Sequence, residues 1–228
     1  MDVRKQLVEA GRYLLNNQLA WGTSGNMSAR LDQDKMLITA SGTYMGELDT
    51  ESFVEYHIGT GTYTGSRKAS KETPFHVAIY RQRPDVNAIL HSSPFYTTLL
   101  ACSNIPIVSE LFIETMYYLE DIAYVDYMHP GTHELADSIE KQARKSNIIL
   151  MRNHGVVVYD DSVKEVQMRL ETLEMACRMI VMARASGIAM EQIPKTTVRS
   201  FLEDSKYKPR KKPALESGTN SKGKEEVD

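Results

Sequence analysis

Apolar residues recur at helical spacing from Arg4 to Leu19, at Leu7, Ala10, Leu14, Leu15 and Leu19. The run stops before the glycine-bounded segment Trp21-Gly22-Thr23-Ser24-Gly25, which predicts a helix feeding a loop. Met36-Leu37-Ile38 and Phe53-Val54-Glu55-Tyr56 are short strand-like runs, and Gly59-Thr60-Gly61 is a hairpin signal leading into another. The first third therefore reads as a helix followed by an antiparallel meander. Lys71 to Arg83 carries Phe75, Val77, Ala78, Ile79 and Tyr80 with Pro84 just beyond, which predicts a helix closing ahead of a strand that ends at His91. Pro94 opens the next helix, because proline favours the first helical turn.

Further along, Pro106-Ile107-Val108 reads as a strand, Phe112 to Leu119 as a helix and Ile122 to Val125 as a strand. Gly131 to Lys145 reads as a helix with Leu135, Ile139 and Ala143 inward, leading to the strand pair Ile148–Met151 and Val156–Tyr159. From about Ser162 to Ala185, the positions Val166, Leu170, Leu173, Ala176, Ile180 and Ala183 form one stripe, with Gly187 as the stop. Beyond Tyr207 the chain becomes polar and loses periodicity, so residues 208–228 are expected to be a disordered tail.

A length of 228 residues suits one complete core, so a single domain is expected over 1–207. The formal net charge of −3 gives no basic bias, which argues against nucleic acid or a membrane surface as the main partner and favours a small molecule. No apolar stretch approaches the roughly 20 residues needed to span a bilayer. The start, Met1-Asp2-Val3-Arg4-Lys5-Gln6, lacks the apolar centre of a signal peptide, so a cytoplasmic location is expected. Cys102 and Cys177 show no paired spacing and read as core filling.

The chemistry gathers at turns. His91 and His154 each end an apolar strand-like run and are followed by Ser-Ser-Pro or glycine, the placement that brings side chains to the rim of a sheet. Strand alternation would put a partner ligand two residues after His91, where the chain has Ser93. Gly25-Asn26-Met27-Ser28, Thr39-Ala40-Ser41-Gly42-Thr43 and Ser70-Lys71-Glu72 combine glycine, small hydroxyls, a helix start and a cation, features that let backbone N–H groups approach an anion. Glu72 has a plain role as a helix-capping acid. If the loops and histidines converge, it becomes a carboxylate placed for acid–base work between phosphate and metal. His76, among Phe75, Val77 and Ala78, reads as a hydrogen-bonded core histidine, and His57, His129 and His133 receive no role.

In this order the motifs resemble the class II aldolase/adducin family, in particular its L-fuculose-phosphate aldolase and L-ribulose-5-phosphate 4-epimerase group. The resemblance runs from about residue 3 to about 207. Its marks are Gly25-Asn26-Met27-Ser28, Thr39-Ala40-Ser41-Gly42, Ser70-Lys71-Glu72 with Phe75-His76, Arg83 to His91, and Asn153-His154-Gly155. It implies an α/β/α fold with a central, largely antiparallel sheet flanked by helices. It places Gly25, Asn26, Ser41, Gly42, Ser70 and Lys71 around a substrate phosphate, Glu72 as catalytic acid/base, and His91, His154 and Glu72 as metal ligands. The metal implied is zinc, and the assembly implied is a cyclic homotetramer with sites between subunits. Aldolase members usually have a second serine where Lys71 stands, and Tyr207 lies near where they contribute a C-terminal tyrosine to a neighbour's site.

Ser93 departs from the pattern, since the family usually has a third histidine there. With a nitrogen ligand fewer, Glu72, a water or an acid such as Glu110 or Glu114 would complete the shell, which opens it to Mn²⁺, Co²⁺ or Mg²⁺. The expected activity is metal-dependent cleavage of a ketose 1-phosphate to dihydroxyacetone phosphate and an aldehyde, with a phosphorylated sugar as substrate. Epimerase, dehydratase or decarboxylase chemistry of the same family, and a metal-free adducin-like binding module, are the alternatives.

Overall fold

The computed structural model describes residues 2–204 together with Tyr207 and Lys208. The elements run α1 (Val3–Asn16), β1 (Asn26–Arg30), β2 (Lys35–Thr39), β3 (Phe53–His57), β4 (Tyr63–Thr64), α2 (Thr73–Gln82), β5 (Ala88–Ser92), α3 (Phe95–Ala101) and α4 (Ile113–Tyr118). They continue with β6 (Ile122–Val125), α5 (His133–Ala143), β7 (Ile148–Met151), β8 (Gly155–Asp160), α6 (Val163–Ser186) and α7 (Lys195–Asp204). The strands form one sheet in the order β4-β3-β2-β1-β5-β8-β7-β6. Every pairing is antiparallel except β6 with β7, where α5 supplies the crossover that parallel strands require.

Period-two alternation divides the sheet between two cores. Leu90, Val156 and Val158 face a layer containing Leu7, Leu14, Leu100, Leu170 and Leu173 from α1, α3 and α6. Ile89, Val157 and Tyr159 face Phe75 and Ile79 of α2 with Leu135 and Ile139 of α5. The expected α/β/α arrangement with a largely antiparallel sheet is therefore the fold observed. Because β5, β7 and β8 are buried throughout, they read as continuous apolar runs. Local signals act where expected. Ser162 caps α6 by accepting from the Glu165 N–H, and Gly187 ends it in the left-handed region at φ 71°.

Three expectations differ. Pro106-Ile107-Val108 joins no strand; Pro106 lacks a donor for a ladder, and Ile107 and Val108 pack against the core instead. Gly25-Asn26-Met27-Ser28 is not a loop throughout, because β1 begins at Asn26. Cys177 fills the core, but Cys102 is exposed just past α3. Helix α7 has no buried residue and was not anticipated. Of the tail assigned to 208–228, Lys208 is described, 3.1 Å from Glu165, and the rest lies outside the described residues. No helix among the described residues is long and apolar enough to cross a membrane.

Candidate active site

Four pieces of chain meet at the α2/α5 face of the sheet. His91 lies on β5 directly opposite Asn26 of β1 and Val157 of β8. His154 sits in the β7–β8 turn. Two backbone conformations make that turn: Asn153 at φ 56° and Gly155 at φ 149°. A Cβ on Gly155 would stand 2.6 Å from the Ser92 carbonyl and 2.8 Å from Ser93 Oγ, so glycine is what lets the turn close onto β5. Glu72 occupies the N-cap position of α2 but makes no capping bond. Its carboxylate turns instead to the histidines, with His91 Nε2 3.2 Å from Oε2 and His154 Nε2 3.2 Å from Oε1.

The hydrogen bonds define the protonation pattern. His91 Nδ1 lies 2.9 Å from the Val156 carbonyl, an acceptor only, so the ring donates there and Nε2 carries a lone pair. That lone pair faces a carboxylate oxygen. Burial, the dominant influence, pushes His91 below the ordinary histidine pKa, which disfavours filling the gap with a second ring proton. Burial would raise Glu72, but the positive charge His91 and His154 carry when protonated, together with the bond donated by the Asn26 amide, outweighs it and brings its pKa down to about 2, so the carboxylate is ionised at neutral pH. Oε1 of Glu72 and Nδ1 of His154 are buried with no hydrogen-bond partner.

Two imidazoles and a carboxylate, with ligand atoms all within 4.8 Å of one another, thus suit a divalent cation. This is the single such group among the described residues. Glu110 is turned to the Ser109 N–H at 3.1 Å and Glu114 neighbours Tyr207, so neither acid joins the cluster. Tyr207 itself packs edge-to-face against Tyr117 and at a tilt against Phe201 of the same chain.

Beside the cluster lies a cavity of about 340 Å³. All six residues expected around an anion line it: Gly25, Asn26, Ser41, Gly42, Ser70 and Lys71. Glu72 lines it as well and so belongs to both the cavity and the cluster. The two loops are tied by Ser41 N–H to the Lys68 carbonyl at 2.8 Å and Ser70 N–H to the Thr39 carbonyl at 3.1 Å. Thr39 and Thr43, the ends of the Thr39-to-Thr43 motif, line it too, and Thr23 adds a hydroxyl-bearing residue that the sequence did not mark as part of an anion site.

Ser93 is buried next to His154. Its hydroxyl donates to the His154 carbonyl at 3.2 Å and accepts from Ser24 Oγ at 3.1 Å, while Trp21 Nε1 donates to its carbonyl at 3.2 Å. It fastens the turn that carries His154. On its other side Ser93 borders an apolar groove of about 670 Å³ lined by Leu15, Trp21, Phe95, Leu99 and Cys102.

The rim of this α/β/α sheet thus joins a carboxylate–bis-imidazole cluster, a candidate metal site, to a cavity lined by small and hydroxyl-bearing residues. Residues 5–181 match the family model described as Class II Aldolase and Adducin N-terminal domain, and the chain belongs to this family. The L-fuculose phosphate aldolase of Methanocaldococcus jannaschii is 30% identical over 179 residues, covering 78% of this chain and 96% of that protein. The 3-oxo-tetronate 4-phosphate decarboxylase of Haemophilus influenzae is 29% identical over 180 residues, covering 77% of this chain and 85% of that protein. A solved L-fuculose 1-phosphate aldolase superposes with a TM-score of 0.77 at 27% identity, covering 87% of this chain and 93% of the other.

Proposed function

We propose that the chain is a divalent-metal-dependent carbon–carbon lyase that cleaves a ketose 1-phosphate to dihydroxyacetone phosphate and an aldehyde. The observation that carries this reading is Glu72, which touches both histidines and lines the anion cavity. Ser41, Gly42, Ser70 and Lys71, with Gly25 and Asn26 behind them, bind the phosphate. Glu72, His91 and His154 hold the cation, with Zn²⁺ as the first candidate and Mn²⁺, Co²⁺ or Mg²⁺ admitted by the third-histidine position being Ser93. A cation held there supplies Lewis-acid polarisation of the substrate carbonyl.

The chain's own residues supply the rest. The cradle fixes the phosphate end, which places C3 and C4 of the ketose beside Glu72. The Glu72 carboxylate takes the C4 hydroxyl proton as the C3–C4 bond breaks, which releases the aldehyde and leaves the electron pair on C3 as the enediolate of dihydroxyacetone phosphate. The conjugate acid of Glu72 returns a proton to C3. Condensation is the reverse.

A second reading is decarboxylation, as the name of the Haemophilus relative describes, and Lys71 in the cavity lining favours it by adding a cation for a second substrate anion. The two chemistries converge. A 3-oxo-tetronate 4-phosphate that loses carbon dioxide leaves the same enediolate. The purified chain, reconstituted with each divalent metal, is expected to release dihydroxyacetone phosphate from L-fuculose 1-phosphate, 5-deoxyribulose 1-phosphate or a related ketose 1-phosphate. Release only from the 3-oxo acid would move the assignment to decarboxylation, and no release with any metal would refute both.

The reading includes a cytoplasmic homotetramer with sites between subunits. What supports a subunit contact is the set of large exposed apolar side chains beside Ser93, with Trp21 64% and Phe95 68% exposed. Light scattering on the purified chain counts the subunits.

A further inference from the structure

Behind Glu72 runs a line of buried polar side chains whose spacing is set by two elements. Glu72, His76 and Tyr80 are four apart, one stripe along α2. Asn26 and Ser28 are two apart on β1 and so share a face of the sheet. Four helical residues rise about 6 Å and two strand residues about 6.7 Å, so the two rows run nearly in step.

The bonds between them follow one another. Asn26 Nδ2 is 2.7 Å from Glu72 Oε2, and His76 Nε2 is 2.5 Å from Asn26 Oδ1. Ser28 Oγ is 2.7 Å from His76 Nδ1 and 3.0 Å from the Tyr80 hydroxyl. Asn26, Ser28, His76 and Tyr80 are each no more than 4% exposed.

Every direction in this line is determined from the Glu72 end. An ionised carboxylate only accepts, so Asn26 presents its NH₂ to Glu72 and its oxygen to His76. His76 therefore carries its proton on Nε2 and accepts at Nδ1. The single Ser28 proton goes to that Nδ1, and Tyr80 donates to Ser28. Complete burial keeps His76 neutral, with its pKa driven down to about 3 by desolvation, so the pattern holds throughout the working pH range.

We propose that His76 is a positioning residue for the site: through Ser28 and Tyr80 it is locked in one tautomer, and it holds the Asn26 amide in the orientation that aims Glu72 between His91 and His154. It touches neither substrate nor cation. The affinity test below rests on the cation site proposed above, whereas the tautomer test does not.

Two measurements on the full chain decide the matter. Proton–nitrogen correlation spectra of the histidine rings at pH 7, without metal, are expected to show His76 protonated on Nε2 and bare at Nδ1; a proton on Nδ1 overturns the proposal. Titration with Co²⁺, followed by its visible absorption, is expected to show affinity about 10- to 100-fold weaker in His76→Phe, the range for lost outer-shell support, with an altered spectrum.

His76→Gln keeps a carboxamide that can donate to Asn26 and accept from Ser28, and it is expected to restore most of the affinity even if it melts lower. A purely structural role would lower the melting temperature of both variants and spare cobalt binding in both, which also overturns the proposal. If His76→Phe does not fold, Ser28→Ala carries the test: weaker Co²⁺ binding supports the lock, and wild-type binding refutes it. A native chain that binds no Co²⁺ contradicts the proposed function and leaves the tautomer measurement to judge this one.

Discussion

Replacing Glu72 with glutamine is expected to lower kcat for ketose 1-phosphate cleavage by about 10²- to 10⁴-fold, the contribution of a positioned proton-transfer group. The substitution preserves shape and leaves α2 capped as before, because the Glu72 side chain makes no capping bond. It removes the only carboxylate of the cluster and the group that can carry the proton to C3. Metal affinity falls too, so the rate must be read at saturating metal. There the two roles of Glu72 separate. A kcat that stays depressed when the cation is saturating assigns proton transfer to Glu72, while full recovery would reduce it to a ligand and contradict the mechanism.

Gly25→Ala is expected to damage the fold and the site together. Gly25 has φ 93°, and a Cβ there would stand 2.5 Å from the His91 carbonyl and 3.3 Å from the Ser92 Cα. These neighbours are strand backbone and cannot rotate away as a side chain could. The chain must therefore shift where β1 meets β5, the junction at which Asn26 pairs with His91. Left-handed strain and the clash together cost about 3 kcal/mol, which for a chain of this size lowers the melting temperature by about 6–12 °C. Thermal unfolding followed by circular dichroism checks it, and an unchanged melting temperature would contradict the close approach of Gly25 to β5.

Helices with a wide apolar stripe were legible from the sequence, as α6 illustrates with its Ser162 cap and Gly187 stop, and so were the strands buried on both faces. β1 was harder to see. Its alternate positions, Asn26 and Ser28, are polar because they enter the hydrogen-bond line to Glu72 and His76, so only Met27 and Ala29 signal a strand. The segment at Pro106 misled for the opposite reason: its apolar residues pack on the core without pairing.

At the site, His91, His154 and Glu72 were each marked by position, and the structure brings them together. What sequence could not supply was that Glu72 turns away from the helix end it could have capped. The role of His76 escaped because a lone histidine among apolar residues looks like core. Its signal was present in the spacing of Glu72, His76 and Tyr80, and became meaningful only when set beside Asn26 and Ser28. Ser93 was read as a missing ligand, and the structure shows its hydroxyl bonded to the His154 carbonyl and to Ser24.

The two proposed reactions, aldol cleavage and decarboxylation, would share one half-reaction, the exchange of a proton between Glu72 and the carbon that becomes the hydroxymethyl group of dihydroxyacetone phosphate. It can be observed without knowing the aldehyde. The chain loaded with a divalent metal is incubated in deuterium oxide with dihydroxyacetone phosphate alone, and the hydroxymethyl protons are followed by NMR. Metal-dependent exchange of one of the two protons is expected, abolished by Glu72→Gln; no exchange above the enzyme-free rate with any divalent metal would contradict proton transfer at Glu72.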